Sequence, residues 1–409
     1  MFSIRHLTAV LCLGSSLMAS AADWPQFLGP NRNCIAGDDE KPLPRRFPDK
    51  GPPVLWQKVL GSGFAGPAVV GGKVIIFHRE RDEAVVEALN KDDATVLWRF
   101  AYPTNYKDRF GFDNGPRATP TVIDGRVIVH GAEGMVHALD LATGKLLWKI
   151  DTVKEFNSPP GFFGRAFAPL VVGGLVYLTP GGDKDKVVVA VNVKDGSIKW
   201  STGEDGASYS SPVMTADNVL VCWLRNHLTT FNPKDGTILG RELFRPSEEA
   251  SVSAAVPIKT DHGWFITGCY GIGSSLWDIS ADGKLKKTWN EQDMIDSHYA
   301  TPVYYQGHVY GFDGRQEVGQ ALRCMDTDTK DILWESPRQK GGTVMLVKDK
   351  LLVVTEDGEL WMVNTSLVGF EQPGLAQILR AGHRSYPAFS GGVLYARDGV
   401  KMVAVQLVK

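Results

Sequence analysis

Along this chain, apolar and polar residues alternate in short runs, and Gly or Asp-Gly turns interrupt them every few residues. Val, Ile, Tyr and Thr dominate the runs, so the period is that of strands and not of helices. One phrase recurs. ALNKDDATVLW ends at Trp98, ALDLATGKLLW at Trp148 and AVNVKDGSIKW at Trp200. TFNPKDGTILG follows, with Gly240 where the tryptophan would fall. LWDISADGKLKKTW ends at Trp289 and CMDTDTKDILW at Trp334. WMVNTSLVGFEQPGLAQIL is a degenerate seventh copy, and MVAVQLVK begins an eighth. A second phrase precedes each copy, as in GPAVVGGKVIIF, TPTVIDGRVIVH and APLVVGGLVYLT. The spacing averages about 45 residues, the period of propeller blades.

Each repeat therefore predicts four antiparallel strands. The Pro-led phrase supplies two, the run before the turn the third, and the Trp-bearing run the fourth. The expected fold is all-β, an eight-bladed β-propeller, with seven blades as the alternative should the last two copies merge. Closing the ring protects the sheet edges. The final copy lacks an outer strand, and an orphan one, PPVLWQKVL with Trp56, stands before the first blade. It is expected to complete the last blade and latch the ring. Trp56, Trp98, Trp148, Trp200, Trp289 and Trp334 are assigned to docking each outer strand on the turn of the neighbouring blade, where a buried indole provides adhesion. Gly in the Thr-Gly-Lys turn supplies the positive φ that such a hairpin needs.

Composition adds limits. The 409 residues are 43% hydrophobic and 22% charged, ample for a large core, and 44 Gly with 23 Pro suit many turns. With a net charge of −2 and no long basic run, nucleic acid is not an expected partner. The start, MFSIRHLTAVLCLGSSLMASAAD, has a basic residue, a short apolar run and an Ala-x-Ala pattern, the features of a secretory signal over residues 1–22. The run is too short to span a bilayer, which takes roughly 20 apolar residues. No membrane span is expected. An arm over 23–53 then leads to a propeller over 54–409, exported to the periplasm or the exterior and monomeric. Cys34, Cys222, Cys269 and Cys324 lie far apart without a CxxC pair, and buried free thiols are the expectation.

The phrase Ala-x-Asp-x-x-Thr-Gly-Lys-x-x-Trp, complete at Ala138 to Trp148, resembles that of the pyrroloquinoline-quinone (PQQ) repeat propellers. These include quinoprotein alcohol dehydrogenases and the outer-membrane assembly lipoprotein propeller. The resemblance covers about Trp56 to Lys409. DWPQFLGPNRN and NGPRATPTVIDGRVIVHGAEG further resemble exported PQQ-binding-like propellers. For quinoprotein dehydrogenases the resemblance implies PQQ in the central channel under a vicinal Cys-Cys disulfide, with calcium held by acidic and amide side chains. This chain has no adjacent cysteines. Its acidic phrase around Asp326, Asp328, Asp331 and Glu335 carries Lys330 at a would-be ligand position and coincides with a hairpin turn. No cofactor and no metal are expected, and no catalytic residue is assigned, since HExxH, GxSxG and P-loop patterns are absent.

Propeller ligands usually meet the channel mouth, near the start of each innermost strand. The residues there are Arg117, Arg165, Tyr209, Ser210, His298, Tyr299, His383 and Arg384. Their arginines suit an anionic group, because guanidinium pairs with carboxylate or phosphate. The competing assignment is hydrogen bonding between blades. Phe110–Asn114 and Pro159–Gly164 are expected to rim the same face. The leading expectation is a non-catalytic exported propeller that binds an envelope protein or a small anionic ligand through its loop face. The alternative is a PQQ-dependent oxidoreductase, and a third reading is sugar binding on exposed aromatics.

Overall fold

The computed structural model describes residues 23–249, 251–382 and 384–408, so the expected signal over 1–22 and the candidate His383 lie outside the described residues. Eight four-stranded antiparallel sheets are arranged as a ring, an eight-bladed β-propeller, and the seven-blade alternative is excluded. Blade 2 shows the plan, with strands Thr121–Ile123, Arg126–His130, Met135–Asp140 and Leu146–Asp151 in sequence order. The degenerate seventh repeat still forms a full blade, because Gly374–Gln377 pairs with Glu359–Asn364 as its outer strand.

Ring closure follows the sequence expectation. Val54–Val59 pairs antiparallel with Lys401–Gln406, and Trp56 lies opposite Ala404. The last blade is thus built from both ends of the chain, which ties the first segment of the propeller to the last.

The tryptophans dock as their spacing predicts, and a bulge aims them. Trp148 opposes Ala138, and the register shifts immediately afterwards, between Ala138 and Leu139. Its indole Nε1 donates to the Val193 carbonyl at 2.9 Å, in the turn region of the next blade. Trp98 does the same to Leu141 at 2.9 Å and Trp200 to Pro233 at 3.0 Å. Trp56 reaches Lys91 at 2.7 Å and Trp334 reaches Ser366 at 2.6 Å. Under Trp98 the receiving turn has no room for a side chain, since Gly144 has φ +70° and a Cβ there would lie 2.6 Å from the ring, whereas the turn under Trp56 carries Ala94 at φ +60° and still buries its indole.

Three junctions depart from this plan, one of them at blade 7, whose outer strand Gly374–Gln377 carries no tryptophan and has the Phe47 ring of the arm against Gly374. At Gly240 there is no indole to dock. Close backbone approach replaces it, and a Cβ on Gly240 would lie 2.7 Å from the Gly283 carbonyl oxygen, which already accepts from Thr230 Oγ1 at 2.5 Å. Trp289 corrects the docking expectation in part. The turn it faces carries Lys330 with φ +66° in place of glycine, so the ring is only half-buried. Lys330 Nζ sits 5.7 Å over the ring centroid, and Phe265 meets the ring edge-on at 6.1 Å.

The arm before the propeller closes the channel. Trp24 N donates to Val69 O at 2.8 Å in blade 1, and Pro25 O accepts from Val122 N at 2.7 Å in blade 2. Arg32 donates to Ala168 O at 3.2 Å and Pro169 O at 3.3 Å in blade 3. Cys34 O and Ala36 N then bracket Leu346 in blade 7, at 2.8 and 2.9 Å. Trp24, Leu28 and Cys34 are buried in the main core. The arm exits where Glu40 caps the amides of Gly391 and Gly392, at 2.6 and 3.0 Å. Cys34, Cys222, Cys269 and Cys324 are free and buried.

Candidate functional site

With the arm as floor, the loops leading into the innermost strands enclose a cup of about 730 Å³ open to the loop face. Its walls differ. The loops into blades 1 to 3 contribute Phe64, Phe110, Phe112, Phe162 and Phe163 and the loop into blade 4 contributes Tyr209, while blades 5 to 8 contribute mainly polar side chains. Phe27 of the arm also lines the cup and packs edge-on against Tyr386, 5.0 Å between centroids.

The aromatic wall is held by two acceptors, a buried carboxylate and a half-buried phenol. Asp108 accepts from the amides of Phe110, Phe112 and Asp113 at 3.1, 2.8 and 3.1 Å, which fixes the loop that carries both phenylalanines. Arg117 pairs with the same carboxylate at 3.1 Å and lies over the Phe64 ring, 5.4 Å from its centroid. Tyr209 acts likewise on the second loop: its hydroxyl oxygen accepts from Phe162 N at 2.7 Å and Phe163 N at 3.0 Å. The rings then pack on one another in tilted pairs, Phe110 to Phe163 at 5.2 Å, Phe112 to Phe163 at 5.9 Å and Phe163 to Tyr209 at 5.8 Å.

The polar wall is one directional network. Tyr270 OH lies 2.7 Å from His298 Nε2, and His298 Nδ1 faces Gln316 Oε1. Burial lowers the His298 pKa, so the neutral ring accepts from Tyr270 and donates to Gln316. Gln316 Nε2 donates to Glu356 Oε1 at 2.9 Å, as does the Tyr299 hydroxyl at 2.8 Å. Arg384 Nε lies 3.4 Å from Glu356 Oε2, and its guanidinium sits 5.0 Å over Phe112, joining the two walls. Burial and the neighbouring Glu356 carboxylate hold the Tyr299 phenol well above its ordinary range.

Among the described residues, every arginine and lysine lining the cup has an acidic partner. Arg117 pairs with Asp108, Arg384 with Glu356, Arg315 with Glu317 at 3.3 Å, and Lys340 with Asp357 at 2.7 Å. Arg315 also lies over Tyr270 at 4.4 Å.

Of the residues the sequence singled out, Arg117, Tyr209, His298, Tyr299 and Arg384 come together in this cup. Arg165 and Ser210 do not. Arg165 is buried, with its guanidinium bonded to Glu133 O at 3.0 Å and to Ser158 Oγ at 3.1 Å, and Ser210 is buried beneath the loop. For Arg165 the competing assignment, bonding between blades, is what the geometry shows. Tyr270, Arg315, Gln316, Glu317 and Glu356 were missed because they sit on hairpin tips between second and third strands. The long tip DGRQEVG, residues 313–319, was the available signal.

Comparison with known proteins agrees with this architecture. A family model described as outer membrane protein assembly factor BamB (PQQ_2) matches residues 82–318. The chain belongs to that family. The outer membrane protein assembly factor BamB of Yersinia pestis is 25% identical over 338 residues, covering 75% of this chain and 80% of the relative. The quinoprotein alcohol dehydrogenase PedH of Pseudomonas putida is 26% identical over 213 residues, covering 49% of this chain and 31% of the relative. BamB from Moraxella catarrhalis superimposes with a TM-score of 0.64 at 14% identity, covering 86% of this chain and 97% of that one. A europium-containing methanol dehydrogenase superimposes with a TM-score of 0.69 at 13% identity, covering 94% and 91%. At such identities the superpositions establish the fold alone.

Because one relative is a quinoprotein alcohol dehydrogenase, the cup's donor set matters. None of its cysteines are adjacent. Among the described residues no group of three or more His, Cys, Asp or Glu side chains converges as a metal-binding set. The acidic turn at Asp326 is a solvated hairpin in which the carboxylate accepts from the Asp328 and Thr329 amides at 2.8 and 2.9 Å. Among the described residues no helix is long and apolar enough to cross a membrane.

Proposed function

We propose that this protein is a non-catalytic binding module of the cell envelope, exported by its N-terminal leader, that engages its partner or ligand through the cup on the loop face. The observation that carries this reading is the cup's construction. Packed aromatics form one wall, and on the other each charged group is already paired. A surface built this way offers shape and apolar area. The hydroxyls it sets beside a base, Tyr270 on His298 and Tyr299 on Glu356, are phenols that burial makes harder to ionise, which works against either serving as a nucleophile. Family membership supports the same assignment, since the matching relatives carry the name of an assembly factor. A periplasmic or extracellular address and a monomeric state complete the proposal.

The test uses a benzophenone amino acid in place of Phe112 at the rim and, as control, in place of Leu147 on an outer strand. Adducts formed in envelope preparations at Phe112 and not at Leu147 are expected. Equal labelling at the two positions counts against the cup.

The PedH relative favours a second reading, a PQQ-dependent oxidoreductase. The residues present do not fit the quinone and its metal, because the cup's carboxylates are engaged with arginine, lysine, glutamine and tyrosine partners. Quinone absorbance co-eluting at one per chain after addition of PQQ and calcium, together with dye reduction by alcohols, would select it.

A further inference from the structure

We propose that the cup binds a neutral oligosaccharide, an inference that rests on the cup being the binding site. Two walls of opposite chemistry face each other across it. Phe110 and Phe112 are 56% and 53% exposed, so Phe110 and the side of Phe112 that Arg384 does not cover are available to a ligand. Opposite them, Tyr270, His298, Gln316, Glu356 and Arg384 present hydroxyl, imidazole, amide, carboxylate and guanidinium edges in fixed orientation. A pyranose has the matching form: its C–H face is apolar, and its rim is a ring of hydroxyls, each able to donate and accept. It stacks on the phenylalanines and exchanges hydrogen bonds with a wall whose donors and acceptors are already ordered.

Charge selects the neutral class. Of the arginines that from sequence suited an anion, Arg384 faces Glu356 and Arg117 faces Asp108, while Arg165 is bonded away from the cup to Glu133 O and Ser158. Arg315, which the sequence did not single out, faces Glu317. An anionic ligand must displace these carboxylates or lie beside them, whereas a hydroxyl bonds to both members of a pair. The cup's volume of about 730 Å³ lies within the ~300–1,000 Å³ range of small-ligand sites and accommodates a short oligomer of about two or three rings. Because the arm closes the floor, the ligand enters from the loop face.

The experiment is titration calorimetry on the mature chain with hits from an array of neutral gluco-, manno-, xylo- and N-acetylglucosamine oligomers. Oligogalacturonides and benzoate serve as the anionic probes. At least one neutral oligomer is expected to bind, with affinity unchanged between low and high salt. Phe112→Ala combined with Phe163→Ala is expected to weaken it about tenfold or more, and Gln316→Ala by a similar factor, with the melting temperature held near that of the parent. Preferential, salt-sensitive binding of the anionic probes overturns the proposal, and so does sugar binding that survives both sets of substitutions. If no sugar is retained while the crosslinker at Phe112 still forms adducts, the sugar assignment falls and the binding-module reading stands. If neither occurs, both fall.

Discussion

Blades 1 to 3 and blades 4 to 6 are copies of one motif, yet they differ both at their outer junctions and at the channel mouth. In the first group Trp98, Trp148 and Trp200 each dock flat on a glycine turn, and the loops above carry phenylalanines. In the second, Gly240 and the Trp289–Lys330 pair replace two of those docks, and the hairpin tips at the mouth are polar. The ring closes in both. Docking therefore tolerates local failure as long as neighbouring junctions hold, and the chemistry of the mouth is set independently of it, by loops and tips outside the repeated phrase.

The sharpest way to break this comparison is to remove one indole from each group. Trp148→Ala deletes a buried ring and its bond to Val193, and a loss of about 3–5 kcal/mol is expected in urea unfolding. Trp289→Ala, from a half-buried site, is expected to lose about a third of that. Equal losses would mean that the lysine turn supports its tryptophan as well as glycine does.

Asp108→Ala tests whether the aromatic wall depends on its buried carboxylate. It strips three amides of their acceptor and leaves Arg117 unpaired, so a loss of about 3 kcal/mol is expected, with faster hydrogen exchange confined to residues 108–114.

Acid should act on blade 2 before it acts elsewhere. Burial pushes the pKa of His130 down to about 3 and that of His137 to about 4. Both remain neutral in the folded chain while the unfolded chain takes up protons near 6.5, so the unfolded state binds more protons below that pH. Stability is then full above about pH 6.5 and falls towards pH 4, by up to about 1.4 kcal/mol per pH unit for each histidine. His130→Phe should flatten the slope, and an unchanged slope would locate the acid sensitivity in another part of the ring.

The smallest effect expected is a gain. Lys330→Gly relieves a left-handed lysine and lets Trp289 settle, for about 0.5–1 kcal/mol of added stability. The mirror change, Gly144→Ala, forces a Cβ against Trp98 and should cost more than that, read as a lowered melting temperature.

The ring was legible because it is written in local signals repeated along the chain. Alternation, a turn glycine and a tryptophan at constant spacing specify a blade, and the unpaired strand at Trp56 implies its partner at the far end. The aromatic loops at Phe110–Asn114 and Pro159–Gly164 were legible as a rim for the same reason, being interruptions of a regular pattern. Arg165 was misplaced because an arginine beside an inner strand has the same sequence signature whether it faces the channel or donates to carbonyls between blades.

By itself, then, the sequence determined blade number, closure and the family, because each rests on contacts between neighbours a fixed number of residues apart. Tertiary structure alone decided that the arm from Trp24 to Glu40 would plug the channel, and that Glu356 would gather Gln316, Tyr299 and Arg384 into one network. Those groups lie on blades 6, 7 and 8, with Glu356 far along the chain from each of its three partners. No local pattern relates them, and only the curvature of the closed ring brings them within hydrogen-bond reach.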